Sequence, residues 1–168
     1  MTTPQRVARD QAGERTRYED IEVGARLESM EWSFDQAAIG RICESDDDFH
    51  ESYSVVSPYG GTIAPVLISY PPVRLMFSRK YNVRGLFYGY ETENYAPLRP
   101  DVIYTLSGYI SRKWVKNNRE FVEYEAACHD PVGNKIFVTR RSHALDFLTI
   151  DVPKAATGID SGAGGRLG

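Results

Sequence analysis

The chain predicts an α+β fold in which an antiparallel sheet packs against one long buried helix. Two observations carry that expectation. Thr62 to Lys80 is the most apolar stretch, with Ile63, Val66, Leu67, Ile68, Val73, Leu75, Met76 and Phe77 in a run long enough for a helix. After residue 86 the pattern turns strand-like, in four segments separated by turn signals. The order is strand, short helix, long helix, then four strands, which suits a helix laid on one face of a sheet.

Each element has its own signal. Leu27 to Ser33 reads as a short strand. Ser33-Phe-Asp-Gln36 has the spacing of a capping box, and Ala37, Ala38, Ile39, Ile42 and Cys43 follow at helical intervals. That helix should end at the acidic residues Asp46, Asp47 and Asp48. Asp46 to Pro58 has no clear period and reads as a loop or overhang with room for one helical turn. Pro71-Pro72 should kink or restart the helix assigned to Thr62–Lys80. The four later strands are Leu86–Tyr95, Val102–Trp114, Glu120–His129 and Ile136–Phe147. Lys116-Asn117-Asn118-Arg119 is a hairpin signal, and Asp130-Pro-Val-Gly133-Asn134 is a second turn. Val122, Tyr124, Ala126 and Cys128 alternate with Glu123 and Glu125, as in a sheet wet on one face.

The bulk properties narrow the function. At 168 residues one domain is the simplest reading, bounded at 18–150. Residues 1–17 read as a flexible arm and 151–168 as a disordered Gly-rich tail. A net charge of −3 supplies no basic excess for phosphates, so no nucleic-acid partner is expected. No apolar run approaches the roughly 20 residues of a membrane span, and the first residues have no apolar core for a secretory signal. Cys43 and Cys128 lack ligand spacing and read as free thiols in a reducing cytoplasm. His129 reads as a surface residue and His143 as a packing residue; no metal site is expected. Arg112, Lys113, Lys116 and Arg119 read as a solvated hairpin that could instead meet phosphates. The tyrosines from Tyr88 to Tyr124 suit strands and their interfaces.

The chemistry concentrates between Glu44 and Pro65. Asp46, Asp47, Asp48 and His50 lie within five residues, and Gly60-Gly61 then opens an apolar segment. A carboxylate and an imidazole so close can share one water molecule, which suits adding water to a double bond or removing it. The same residues can also be a solvated loop.

Four segments together resemble the MaoC-like dehydratases, the (R)-specific enoyl-CoA hydratase branch of the hot-dog fold. They are Tyr18-Glu-Asp-Ile-Glu-Val-Gly24, Asp46-Asp-Asp48-Phe-His50, Gly60-Gly-Thr-Ile-Ala-Pro65 and Pro97-Leu-Arg-Pro-Asp-Val102. The resemblance spans about residues 18–148. The chain departs from the family pattern at several points. The proline inside the Asp-to-His signature is missing, Val66 stands for a glycine, and Arg74 or a neighbour stands for a substrate-contacting serine. A hot-dog fold is what the resemblance implies: an antiparallel sheet wrapped around a central helix. It implies Asp46 and His50 as the catalytic pair and Asp48 as the residue orienting their loop. Gly61 would shape the turn, and the amides around Ala64 to Val66 would hold the thioester oxygen. The implied substrate is an enoyl or 3-hydroxyacyl thioester on coenzyme A or acyl carrier protein, as in fatty acid or polyketide metabolism, with no cofactor. The implied assembly is a homodimer or a hot-dog heterodimer. A non-catalytic hot-dog subunit, a thioesterase and a biosynthetic cyclase are the alternatives.

Overall fold

Arg26–Trp32 forms β1, Phe87–Asn94 β2, Tyr104–Lys116 β3, Arg119–His129 β4 and Lys135–Ala144 β5. In this computed structural model, which describes residues 15–83 and 85–145, they make one antiparallel sheet in the order β1-β3-β4-β5-β2. Two helices, α1 (Gln36–Asp46) and α2 (Tyr70–Lys80), lie between β1 and β2. Val73, Met76 and Phe77 of α2 are fully buried with Leu106, Ile110, Val122, Tyr124 and Ala126 of the sheet, and this is the centre of the core. The β3–β4 hairpin turns on Asn117 and Asn118, both at positive φ (51° and 60°). Asn tolerates that left-handed region, which matches the twist of the two strands.

Gly108 of β3 leaves no room for a side chain between β4 and α2. A Cβ there would lie 2.5 Å from the Glu125 carbonyl oxygen and 2.8 Å from the Met76 methyl. Overpacking of this kind costs about 1–3 kcal/mol. Gly108→Ala should therefore lower the thermal midpoint by roughly 3–10 °C, readable by far-ultraviolet circular dichroism; an unchanged midpoint would show that β3 can give way freely.

Three sequence expectations are corrected. The cap of α1 is Asp35, not Ser33: its carboxylate accepts from the Ala38 amide at 2.8 Å. Phe34 remains extended because its ring packs on Trp32 and Tyr104 while its carbonyl accepts from the Asp101 amide. Helical turning therefore begins one residue later, and Gln36 reaches the Tyr53 carbonyl at 2.6 Å instead of closing a capping box. The helix assigned to Thr62–Lys80 is also shorter. Thr62 to Pro65 is not helical, Val66–Ser69 is a 3-10 turn, and α2 starts at Tyr70. Pro71 and Pro72 occupy its first turn, where a missing N–H leaves no helical bond unmade. Finally, β4 is not wet along one face. Glu123 is buried, taking hydrogen bonds from Ser111 (2.9 Å), Arg112 (3.0 Å) and Ser142 (3.3 Å).

Cys43 and Cys128 are both free and buried. The inner end of the assigned N-terminal arm is docked, since Thr16 exchanges two hydrogen bonds with Asn82; the rest of that arm and the Gly-rich tail lie outside the described residues. Among the described residues no helix is long and apolar enough to cross a membrane.

Candidate active site

The chain leaves α1 through a left-handed residue. Asp47 has φ 53°, and both its amide and that of Asp48 return to the Cys43 carbonyl, which ends the helix. Asp46 is thus the last helical residue, and the reversal sends Asp48, Phe49 and His50 back along its end. His50 then caps a 3-10 turn, Glu51–Tyr53, with its Nδ1 accepting from the Ser52 amide at 3.2 Å. An Nδ1 that accepts carries no proton, so the neutral ring keeps its proton on Nε2.

Tyr53 organises the rest of the loop. Its ring stands 5.7 Å from that of His50, and its hydroxyl faces the negative charge of Asp48. Partial burial and that neighbouring negative charge push the Tyr53 hydroxyl above its ordinary pKa, so it remains a donor. The Asp46 carboxylate makes no hydrogen bond or ion pair among the described residues, and nothing bonds it to His50 directly. Both are exposed side chains at the same loop.

This loop is stapled to the glycine turn. The Ile63 amide donates to the Ser52 carbonyl at 3.0 Å, two residues past His50. Ser57 closes the turn, bonding the Gly61 carbonyl through both its amide (2.9 Å) and its hydroxyl (2.8 Å). Gly60 and Gly61 sit at φ 72° and 80°, where only glycine enters without strain. The Arg99 guanidinium clamps the turn from outside by donating to the Tyr59 and Gly60 carbonyls. Arg99 lies in the Pro97-Leu-Arg-Pro turn quoted above, but nothing in the sequence says which segment that turn meets.

The amides beyond the turn divide cleanly. Ala64 donates to the Leu98 carbonyl at 2.8 Å, so its N–H is not available to a substrate oxygen. Pro65 has none. Val66 and Leu67 open the 3-10 turn, and their N–H groups have no acceptor among the described residues. Both residues are about half exposed. Of the two amides expected from the sequence, Val66 is free and Ala64 is not, and Leu67 takes the second place.

No protein-family model and no curated protein sequence matches this chain. Solved structures do. A monoamine oxidase regulatory protein from Archaeoglobus is 16% identical, with a TM-score of 0.69, covering 80% of this chain and 96% of its own. The R-hydratase PhaJ1 of Pseudomonas aeruginosa is 12% identical, with a TM-score of 0.63, covering 78% and 86%. The HadBC complex of Mycobacterium tuberculosis, a 3R-hydroxyacyl-ACP dehydratase, is 13% identical, with a TM-score of 0.63, covering 73% and 96%. The chain has the hot-dog fold of the MaoC-like dehydratases and (R)-hydratases. In hot-dog terms α2 is the central helix, and the candidate residues lie on the segment that leads into it.

The Arg99 clamp gives a local prediction. Arg99→Met should leave the sheet intact but free the Ser57–Gly61 turn, raising its rate of proteolytic cleavage severalfold relative to the parent chain. Unchanged cleavage there would mean that the Ser57 bonds hold the turn alone.

Proposed function

We propose that the chain is a hydro-lyase that adds water to, or removes it from, the double bond of an acyl thioester. The observation that carries this reading is the Ser52–Ile63 bond. It joins the turn that orients His50 to the segment ending in the free Val66 and Leu67 amides, so His50 and the oxygen-binding amides are held as one unit.

In the hydration direction, the thioester oxygen accepts from the Val66 and Leu67 N–H groups, which stabilise the enolate formed in the transition state. His50 donates its Nε2 proton as a hydrogen bond to the water oxygen. Asp46 takes a proton from that water as its oxygen bonds the β-carbon, and then returns the proton to the α-carbon. One water is consumed and both residues end as they began; dehydration is the reverse. Asp48 keeps the loop in place through Tyr53, and Gly61 shapes the turn. No cofactor or metal takes part.

Exposed apolar side chains surround this unit: Phe49, Val55, Val56, Tyr59, Val66 and Leu67. A patch of this kind on a polar loop marks a surface that another chain covers. A second hot-dog subunit is the partner that suits it, either another copy or a different subunit, as in the HadBC complex. The test is loss of the conjugated-thioester ultraviolet absorbance when the chain alone is given an enoyl-CoA or enoyl-acyl carrier protein. A chain inactive alone on both, but active with a second hot-dog protein, would favour a supporting-subunit role. Thiol release without hydration would favour a thioesterase.

A further inference from the structure

A second polar cluster lies inside the fold, where β4 and β5 meet the start of α2. Arg141 and His143 of β5 and Tyr124 of β4 are almost fully buried, and Arg74 of α2 is half-buried beside them. The ladder sets Tyr124 opposite Arg141 and Val122 opposite His143, all on the helix-facing side. His143, Phe77 and Tyr124 stack almost parallel, with centroids 4.4–5.7 Å apart.

Neither guanidinium has an acidic partner among the described residues. Arg141 donates to the Tyr70 carbonyl at 2.8 Å and the Ser69 carbonyl at 3.4 Å, and Arg74 donates to the Val83 carbonyl at 3.2 Å. Among the described residues, five buried polar atoms make no hydrogen bond of normal geometry: Arg74 Nη1, Arg141 Nε, Tyr124 Oη and both His143 ring nitrogens; the Tyr124 hydroxyl nonetheless lies beside the Arg141 guanidinium. Burying unpaired cations and bare donors costs several kcal/mol. Folded chains keep such groups where a ligand completes them.

We infer that Arg74, Arg141, Tyr124 and His143 form a binding site for a carboxylate, carried on the acyl chain at the end away from the thioester. The donor count favours a carboxylate. Arg74 Nη1, Arg141 Nε, the Tyr124 hydroxyl and one N–H of neutral His143 offer four donors, matching the roughly four lone-pair sites of two carboxylate oxygens. Position favours the acyl chain. Arg141 holds the Tyr70 carbonyl, and Tyr70 lies four residues beyond Val66, roughly 8 Å at the rise of a 3-10 turn. Tyr70 and Tyr90, both partly exposed, lie beside Arg141. The thioester end of this inference rests on the proposed reaction, whereas the carboxylate end rests on the cluster alone.

The test separates the two. The full chain is titrated with sodium pentanoate and followed by calorimetry, with pentanamide and ionic-strength-matched sodium chloride as comparators. Saturable binding of pentanoate but of neither comparator is expected. Tyr124→Phe, which removes one oxygen, should weaken it about tenfold, and Arg74→Gln about a hundredfold. An equal response to pentanamide or chloride, no pentanoate binding, or undiminished affinity in both variants would overturn the site. In a second arm, an enoyl thioester ending in a carboxylate is compared with a neutral one of equal length. A higher kcat/KM for the acidic chain, abolished by Arg74→Gln, is expected. If neither is hydrated but pentanoate still binds, the proposed reaction fails and this site stands. If both are hydrated alike and Arg74→Gln changes neither, this site falls.

Discussion

Asp46→Asn is expected to lower kcat/KM for enoyl thioester hydration by about 10²–10⁴, the range for removing a positioned general acid–base group. The reason lies in the division of labour within the loop. Asp48 lies beside the Tyr53 hydroxyl, whereas Asp46, exposed at the end of α1, is the carboxylate open to exchange a proton with water. His50 should behave differently, because its Nδ1 already accepts from the Ser52 amide. Its working atom is the Nε2 proton, offered as a hydrogen bond. His50→Gln, whose side-chain amide can still donate near that position, should therefore retain about tenfold more activity than His50→Ala. Asp46→Asn/His50→Ala should be little worse than Asp46→Asn, since the two residues act on one water. Steady-state hydration kinetics read all of these. Full activity in the double variant would remove both residues from the reaction, and Asp48→Asn falling further than Asp46→Asn would move the base to Asp48. Thermal unfolding of each variant separates chemistry from folding; these exposed side chains should change stability by no more than about 0.5 kcal/mol.

The sheet was legible because its signals are local. Alternation across β3 to β5 and the Asn117-Asn118 turn each involve neighbours in sequence, and the strands lie within a few residues of where the pattern puts them. The acidic loop was legible as a place, since a helix ending at Asp46 leaves few alternatives for the next residues. Which amides and carboxylates are free was not. Ala64 is satisfied by Leu98 and Asp48 faces Tyr53, and tertiary placement alone decides those pairs. The cap of α1 was misread because Ser33 and Asp35 are both competent caps, and only the burial of Phe34 against Tyr104 chooses between them. The inner polar cluster was hidden for a simpler reason. Arg140 and Arg141 are the same letter twice, and strand register turns one outward to Glu125 and the other inward to Tyr124. His143 was correctly read as a packing residue, although its unbonded nitrogens could not be foreseen.

Those nitrogens carry a second large expected effect, a loss of stability in mild acid. Burial, together with the nearby Arg74 and Arg141 charges, pushes the His143 pKa down from 6.5 to about 3. The titratable neighbours facing it are those two guanidiniums and the Tyr124 hydroxyl, which burial holds at about 12 and hence neutral. Between pH 6.5 and about 3 the unfolded chain therefore binds a proton at this residue that the folded chain refuses. Stability rises with pH wherever the unfolded state holds more protons, so His143 contributes fully above about pH 6.5. That contribution is lost as pH falls toward 3, at about 1.4 kcal/mol per pH unit and on the order of 5 kcal/mol in all. His143→Phe preserves a ring between Phe77 and Phe87 and removes both nitrogens. It should flatten the dependence of the urea midpoint on pH between about 6.5 and 4, while the carboxylates, which ionise lower, keep their share below that window. The measurement needs buffers without acetate or citrate, because a carboxylate bound beside His143 would favour its protonated form and mask the slope. An identical pH dependence in parent and variant would mean that the buried ring takes up its proton in the folded state, beside two arginines and against the electrostatics of its site.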